Sequence, residues 1–318
     1  MELILAFTTS LLLSVAMTPL LMRYASRLRL VDYPTTERHI HADATPRVGG
    51  LSIVCGAFFG VIYWYPPNSQ LWALFAGGGI IALFGLLDDL RGLNYSWKFF
   101  GQILAVLVTM TGGVVISVVP GFGMEPAPLW VSYPLTFFVL LGVVNAVNLS
   151  DGLDGLAGGT VLLSLGLILV FALQAELTAL SLVTLGVMGA VIGFLRYNTH
   201  PAQVFMGDTG SQFLGYMTAC LAILVTQDER TALNPVLPLF IVGLPILDTL
   251  LVICIRLVRG RSPFRADTSH IHHQLLCVGF RHYEVVAFLY VIQAAFVLLA
   301  WYYRYSADLT IIAVYCAF

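Results

Sequence analysis

Apolar runs of about 20 residues recur along the whole chain, and this repetition restricts what it can fold into. A run of that length crosses ~30 Å of hydrocarbon as one helix. In lipid only helices and closed barrels satisfy every backbone polar group internally. The runs lie at 3–22, 48–65, 71–87, 99–118, 130–148, 160–174, 178–195, 212–226, 235–255 and 284–302. Most lack the polar stripe of an amphipathic soluble helix. Charged residues make up 10% of the 318, against roughly 25% in soluble domains, which excludes a water-soluble globule. The sequence predicts an all-α polytopic transmembrane helical bundle of ten spans, a single integral-membrane domain over 1–318. A last apolar stretch, Leu309 to Phe318, is half a span or the start of an eleventh. The first run has no basic n-region and no small-residue cleavage site, so it reads as a retained span.

Charge distribution orients the bundle. Arg23, Arg27, Arg29, Arg38 and Arg47 lie in the first loop, Arg91 and Lys98 in the third, and Arg196 in the seventh. Arg256, Arg259, Arg261, Arg265 and Arg281 lie in the ninth, which leaves Arg230 and Arg304 on the other side. Basic loops mark the cytosolic face. The expected arrangement has the N-terminus outside and cytosolic loops at about 23–47, 88–98, 149–159, 196–211 and 256–283. The acidic residues with suggestive neighbours, Asp88, Asp89, Asp151, Asp154 and Asp208, fall on the same side. Cys55, Cys220, Cys254, Cys277 and Cys316 form no C-x-x-C pair and read as small buried hydrophobes.

Five segments could carry chemistry. Asp88 and Asp89 end the third run; adjacent carboxylates at a hydrocarbon boundary repel unless a cation or a proton intervenes. The run N-A-V-N-L-S-D-G-L-D-G-L-A-G-G, Asn145 to Gly159, offers Asn145, Asn148, Asp151 and Asp154 without a basic partner. If helical, the i, i+3 spacing puts both aspartates on one face. Amide and carboxylate oxygens are hard ligands suited to magnesium, and the glycines admit close backbone approach. The run P-A-Q-V-F-M-G-D-T-G-S places Asp208 and Ser211 at a helix start, where open N–H groups favour phosphate. The ninth loop carries His270, His272 and His273 below its arginines, a set suited to a diphosphate. Zinc is disfavoured there, because no cysteine partner and no H-E-x-x-H spacing is present. The first loop adds Arg38, His39, His41 and Arg47 ahead of a glycine pair, a second phosphate clamp. Each segment also has a bland reading, respectively a solvated helix end, a polar turn, an N-cap, positive-inside charge and a basic loop.

Taken in order on one membrane face, these segments resemble the polyprenyl-phosphate N-acetylhexosamine-1-phosphate transferases, from about Leu30 to Phe280. N-A-V-N-L-S-D-G-L-D-G, V-F-M-G-D-T-G-S and S-P-F-R-A-D-T-S-H-I-H-H carry the likeness most specifically. The last of these, with T-P-R-V-G-G, is similar to the branch that starts enterobacterial common antigen, O-antigen and teichoic-acid linkage. The peptidoglycan branch, which uses UDP-MurNAc-pentapeptide, carries a different histidine segment. The resemblance implies transfer of a hexosamine-1-phosphate, most often GlcNAc-1-phosphate, from a UDP-sugar to undecaprenyl phosphate, with UMP as second product. It implies catalytic roles for Asp88, Asp89 and His270, and magnesium ligands at Asn148 and Asp208, with manganese as a substitute. Substrate contacts are implied at Asn145, Asp151, Asp154, Arg256, His272, His273 and Arg47. The partners are a UDP-N-acetylhexosamine, undecaprenyl phosphate and membrane lipid, without nucleic acid, and a homodimer is compatible. His39 departs from the family's frequent lysine, and the C-terminus is shorter than in many relatives.

Both reacting groups are anionic, so charge repulsion is the first barrier, and positioning the attacking oxygen is the second. A lipid phosphate is already ionised near neutral pH. Direct attack is therefore expected, with Asp88 assisting any remaining proton; the alternative is a covalent intermediate on an aspartate. A secondary transporter would place its charges near the midplane, where only Asp248 lies within a run. A CDP-alcohol phosphotransferase needs further aspartates at fixed spacing, which Asp151 to Gly159 lacks.

Overall fold

The apolar runs fold as helices laid side by side. The computed structural model describes residues 1–32, 44–120, 125–260, 262 and 270–318. Its helices are α1 (Glu2–Leu28), α2 (Gly49–Ile62), α3 (Ser69–Arg91), α4 (Tyr95–Thr111), α5 (Leu129–Leu149), α6 (Leu156–Gln174) and α7 (Thr178–Asn198). They continue as α8 (Gly207–Gln227), α9 (Pro238–Ile241), α10 (Gly243–Val258), α11 (Ile271–Val278), α12 (His282–Tyr303) and α13 (Asp308–Ala317). One element departs from the all-α expectation. β1 (Val31–Asp32) pairs antiparallel with β2 (Thr45–Pro46), Val31 opposite Pro46 and Asp32 opposite Thr45.

Among the described residues, α1, α3, α5, α6, α7, α8 and α12 are long and apolar enough to cross a membrane. The chain is thus a multi-pass helical membrane protein. The remaining expected spans also fall on helices, but shorter ones. The 14 residues of α2 rise about 21 Å, less than the hydrocarbon thickness. The 10 residues of α13 rise about 15 Å, the half-span expected from the sequence.

The run 235–255 was expected to be continuous, and it breaks at Val242 between α9 and α10. Pro245 lacks an N–H, so the first turn of α10 cannot continue the ladder of α9. Gln293 of α12 satisfies the groups released there. Its Oε1 accepts the Leu244 N–H at 3.0 Å, and its Nε2 donates to the Ile241 carbonyl at 2.9 Å. Ser164 Oγ donates to the same carbonyl at 2.6 Å. Irregular backbone is tolerated at membrane depth only where protein covers it in this way.

Helix α8 is the axis. Of its apolar window 94% is buried, against 22% for α1 and 28% for α12, which lie at the rim. It packs on α3, α5, α2 and α6, while α1 packs on α7 and α2. Asn68 and Asn94 cap α3 and α4 by accepting the N–H groups of Leu71 (2.9 Å) and Trp97 (3.2 Å). Gly92, at φ +61°, ends α3 in the left-handed region and turns the chain into α4. These turns bring the C-terminal ends of α3 and α5 beside the N-terminal ends of α4 and α8.

Candidate active site

The site grows from that meeting of helix ends. Lys98, in the first turn of α4, places its Nζ 2.5 Å from Asp88 Oδ2 and 2.8 Å from Asp208 Oδ2. Asn148, near the end of α5, donates through Nδ2 to Asp208 Oδ1 at 3.1 Å and to Ser211 Oγ at 2.7 Å. Four helices therefore contribute to one cluster, and an ammonium occupies its centre. Two carboxylate oxygens within reach of one cationic nitrogen also suit a small divalent cation, completed by substrate phosphates. Lys98 is about one-third exposed and long enough to swing aside. Asn148, expected as a metal ligand, presents its amide nitrogen here. Ligation through Oδ1 requires the amide to turn over.

Asp89 does something different from its neighbour. Its Oδ1 accepts the Asp208 N–H at 2.9 Å, and its Oδ2 accepts the Thr209 N–H at 3.0 Å and the Thr209 hydroxyl at 2.6 Å. It caps the N-terminus of α8 from another helix. The expectation that this helix start would receive a phosphate is thereby corrected, because a carboxylate already holds those two N–H groups. Asp89 positions Asp208 rather than sharing the central cluster with Asp88. Gly207, at φ +65°, makes the approach feasible, since a Cβ there would lie 2.6 Å from Asp89 Oδ2.

One helical turn beneath the charges lies a layer of amides. Gln102, four residues after Lys98, donates to Gln212 Oε1 at 3.0 Å and to Asn145 Oδ1 at 3.3 Å. Asn145 donates back to Gln102 Oε1 at 2.9 Å and to the Leu141 carbonyl at 2.8 Å. Gln212 follows Asp208 by four residues, and Asn145 precedes Asn148 by three, so the layers are in register. Asn145, expected as a substrate contact, holds α5 to α4 in this structure.

The remaining candidates form a second half of the site. Residues 151–155 form a turn before α6, so Asp151 and Asp154 do not share a helical face as the spacing suggested. Burial raises the Asp151 carboxyl to about 7, and the negative fields of Asp208, Asp89 and Asp154 add to this. Asp154 turns the other way, accepting from His200 Nδ1 at 2.8 Å and from the Ala202 N–H at 3.1 Å. His270 is fixed by Asp248, whose Oδ2 lies 2.8 Å from His270 Nδ1 while Oδ1 accepts the Ile271 N–H at 2.8 Å. His272 lies against Gly152, which joins the histidine segment to the Asn145–Gly159 run. Burial, then the neighbouring His273, pulls the His272 imidazole down to about 4. His272 is therefore neutral at physiological pH. His273 is also lowered, chiefly by burial. Arg256, in the last turn of α10, is buried.

The first loop docks through backbone. Phe205 N–H donates to the Pro46 carbonyl at 2.8 Å, and the N–H groups of Gly49 and Gly50 reach Phe205 and Met206 carbonyls at 2.9 Å each. The glycine pair lets α2 start against the turn that precedes α8. Arg47 pairs with Asp32 at 2.7 Å. Arg38, His39, His41, Arg261 and Arg265 lie outside the described residues.

Sequence reasoning had placed Lys98 only as a loop charge and Asp248 only as an intramembrane acid. A lone lysine opening an apolar helix ten residues after an acidic pair was the available signal for the first. His200 and His282 carried no signal, because neither lies in a recognisable spacing.

The family described as glycosyl transferase family 4 matches residues 71–226, the segment that contributes Asp88, Lys98, Asn148 and Asp208. A Bacillus subtilis relative, a probable undecaprenyl-phosphate N-acetylglucosaminyl 1-phosphate transferase, is 38% identical, over 93% of this chain and 83% of its own. The decaprenyl-phosphate N-acetylglucosaminephosphotransferase of Mycobacterium leprae is 34% identical over 91% and 80%. The undecaprenyl-phosphate alpha-N-acetylglucosaminyl 1-phosphate transferase of Escherichia coli K12 is 31% identical over 81% and 72%. Similarity of this extent, running through every segment of the cluster, makes the chain a member of glycosyl transferase family 4, the polyprenyl-phosphate N-acetylhexosamine-1-phosphate transferases.

Proposed function

We propose that this protein transfers GlcNAc-1-phosphate from UDP-GlcNAc to undecaprenyl phosphate, releasing UMP and starting a cell-surface polysaccharide such as O-antigen. The observation that carries this reading is the meeting of Asp88 and Asp208 at one cationic position, with Asn148 on the other oxygen of Asp208, in a chain whose relatives bear that activity in their names. The reading takes the bundle to have ten spans in a bacterial inner membrane, with the N-terminus outside and the cluster facing the cytosol. The concentration of basic residues in the loops at the cluster's end supports that orientation.

Magnesium fits the donor set, with Asp208, Asp88 and a turned Asn148 holding it. It would supply charge neutralisation on the donor diphosphate. The protein's own groups do the rest. An oxygen of the lipid phosphate forms a bond to the sugar-linked phosphorus, while the bond from that phosphorus to the UMP oxygen breaks. Asp88 takes any proton the lipid phosphate still carries. Lys98, displaced from between the carboxylates, remains within reach of phosphate oxygens and offsets their charge. Asp248 holds His270 by Nδ1, so the ring's other nitrogen is the one presented to substrate. Arg256 and His270 lie on the diphosphate side of this reading, and the 151–155 turn on the nucleotide side.

A donor panel tests the reading. Purified protein in detergent, with undecaprenyl phosphate and magnesium, should release UMP from UDP-GlcNAc in preference to UDP-MurNAc-pentapeptide. Preference for the pentapeptide donor would move the chain to the peptidoglycan branch. Uptake of label into sealed vesicles without UMP release would make it a transporter.

A further inference from the structure

The amide layer beneath Lys98 has a direction, and it ends on the Asp208 carboxylate. Gln102 and Gln212 are buried, so each amide atom must face a partner of the right kind. The Leu141 carbonyl can only accept, so the Asn145 atom bonded to it at 2.8 Å is the donor Nδ2. That leaves Asn145 Oδ1 to accept from Gln102 Nε2 at 3.3 Å, while Asn145 Nδ2 also donates to Gln102 Oε1 at 2.9 Å. Gln102 therefore turns Nε2 towards Gln212 and meets its Oε1 at 3.0 Å. The Gln212 atom left for Asp208 is the donor Nε2, which lies 3.4 Å from Oδ2. A carboxylate also only accepts. The chain thus begins and ends on acceptors, and each amide between them has one satisfied orientation.

Asp208 Oδ2 is also the oxygen that the Lys98 ammonium reaches at 2.8 Å. In the proposed function Lys98 swings aside and Asn148 turns over. Asp208 then loses the ammonium on Oδ2 and the amide donor on Oδ1. Gln212 stays, because it sits one turn along the same helix and its amide is held from α4 and α5. We propose that Gln212, its polarity fixed by Gln102 and Asn145, is a positioning residue that holds Asp208 Oδ2 for the cation, a role that rests on the proposed function. The bond is long while the ammonium shares the oxygen, and it tightens once the ammonium leaves. A donor on a ligating carboxylate sets which lone pair faces the metal, and magnesium tolerates little departure from octahedral geometry. The two neighbours of Asp208 divide the work. Asp89 holds its backbone N–H, and Gln212 holds its carboxylate.

Manganese titration followed by electron paramagnetic resonance, on the full-length protein in detergent, tests this with melting temperatures measured alongside. Gln212→Met keeps the side-chain length and removes the donor. It should weaken manganese binding roughly tenfold or more, and its turnover should recover as magnesium is raised. Gln102→Met leaves the Gln212 amide divided between two orientations, which should weaken binding about twofold. The double variant should bind no more weakly than Gln212→Met, because Gln102 acts through Gln212. Wild-type affinity in Gln212→Met or in Gln102→Met would overturn the proposal, whatever happens to the melting temperature. So would losses that add in the double variant. In each of those cases, manganese that binds wild type and is lost in Asp208→Asn leaves the proposed function standing. A wild type that binds no manganese would take the proposed metal cluster and the role of Gln212 down together.

Discussion

The two halves of the site hold their carboxylates in different ways. Around Lys98, Asp88 and Asp208 meet a long, partly exposed side chain that can leave. Around Asp248 and Asp154, the carboxylates are fixed to backbone N–H groups of Ile271 and Ala202 as well as to histidines. In the proposed function, the Lys98 ammonium at the centre of one half gives way to a metal and phosphates. Backbone anchoring in the other half fixes where the histidine segment and the 151–155 turn sit. The contrast teaches that carboxylates of similar sequence context divide into those that exchange partners and those that hold the frame.

Substitutions at Asp208 should break the contrast most severely. Asp208→Asn removes a charge from the exchangeable half and is expected to abolish turnover, with a loss of order 1000-fold or more by UMP release. Its melting temperature should stay close to wild type, because Asp89 still caps α8 through backbone. Wild-type turnover would remove Asp208 from the chemistry.

The adjacent pair Asp88 and Asp89 sharpens the comparison. Asp88→Asn should lower turnover at least tenfold with little change in melting temperature. Asp89→Asn should instead lower stability by roughly 2 kcal/mol, several degrees in melting temperature, since it weakens charge-assisted bonds to Asp208 and Thr209. Equal effects of the two substitutions on both readouts would erase the distinction.

His272 acts only on stability, and only through pH. Its folded imidazole titrates near 4, whereas the unperturbed value is 6.5. The unfolded chain therefore binds more protons between those values, and stability must fall as pH drops through that window. The contribution is on the order of 2 kcal/mol. Melting temperatures measured at pH 7 and pH 5 should differ in wild type, and the difference should shrink in His272→Gln. An undiminished difference would place the acid-labile group elsewhere.

The bundle and the segments of the site were legible in the sequence because spans need long apolar runs and because Asn148, Asp151 and Asp208 stand in dense polar motifs. The division between Asp88 and Asp89 was not. Successive helical residues point about 100° apart, so neighbours in sequence face different helices. Spacing within one segment also says nothing of what docks on it, which hid Lys98 at the centre and Asp248 behind His270. Pro245 marks the break between α9 and α10 locally, but Gln293, which satisfies the groups released there, lies some fifty residues later and no local pattern announces it. The absence of side chains at Gly49 and Gly50 admits another segment's backbone, a role that only tertiary packing reveals.

Manganese titration followed by electron paramagnetic resonance tests most directly whether Asp88, Asp208 and Asn148 surround one exchangeable cation. The account predicts one manganese bound by wild type, tighter binding in Lys98→Met because the competing ammonium is gone, and loss of that binding in Asp208→Asn. Manganese held equally by all three proteins would contradict it.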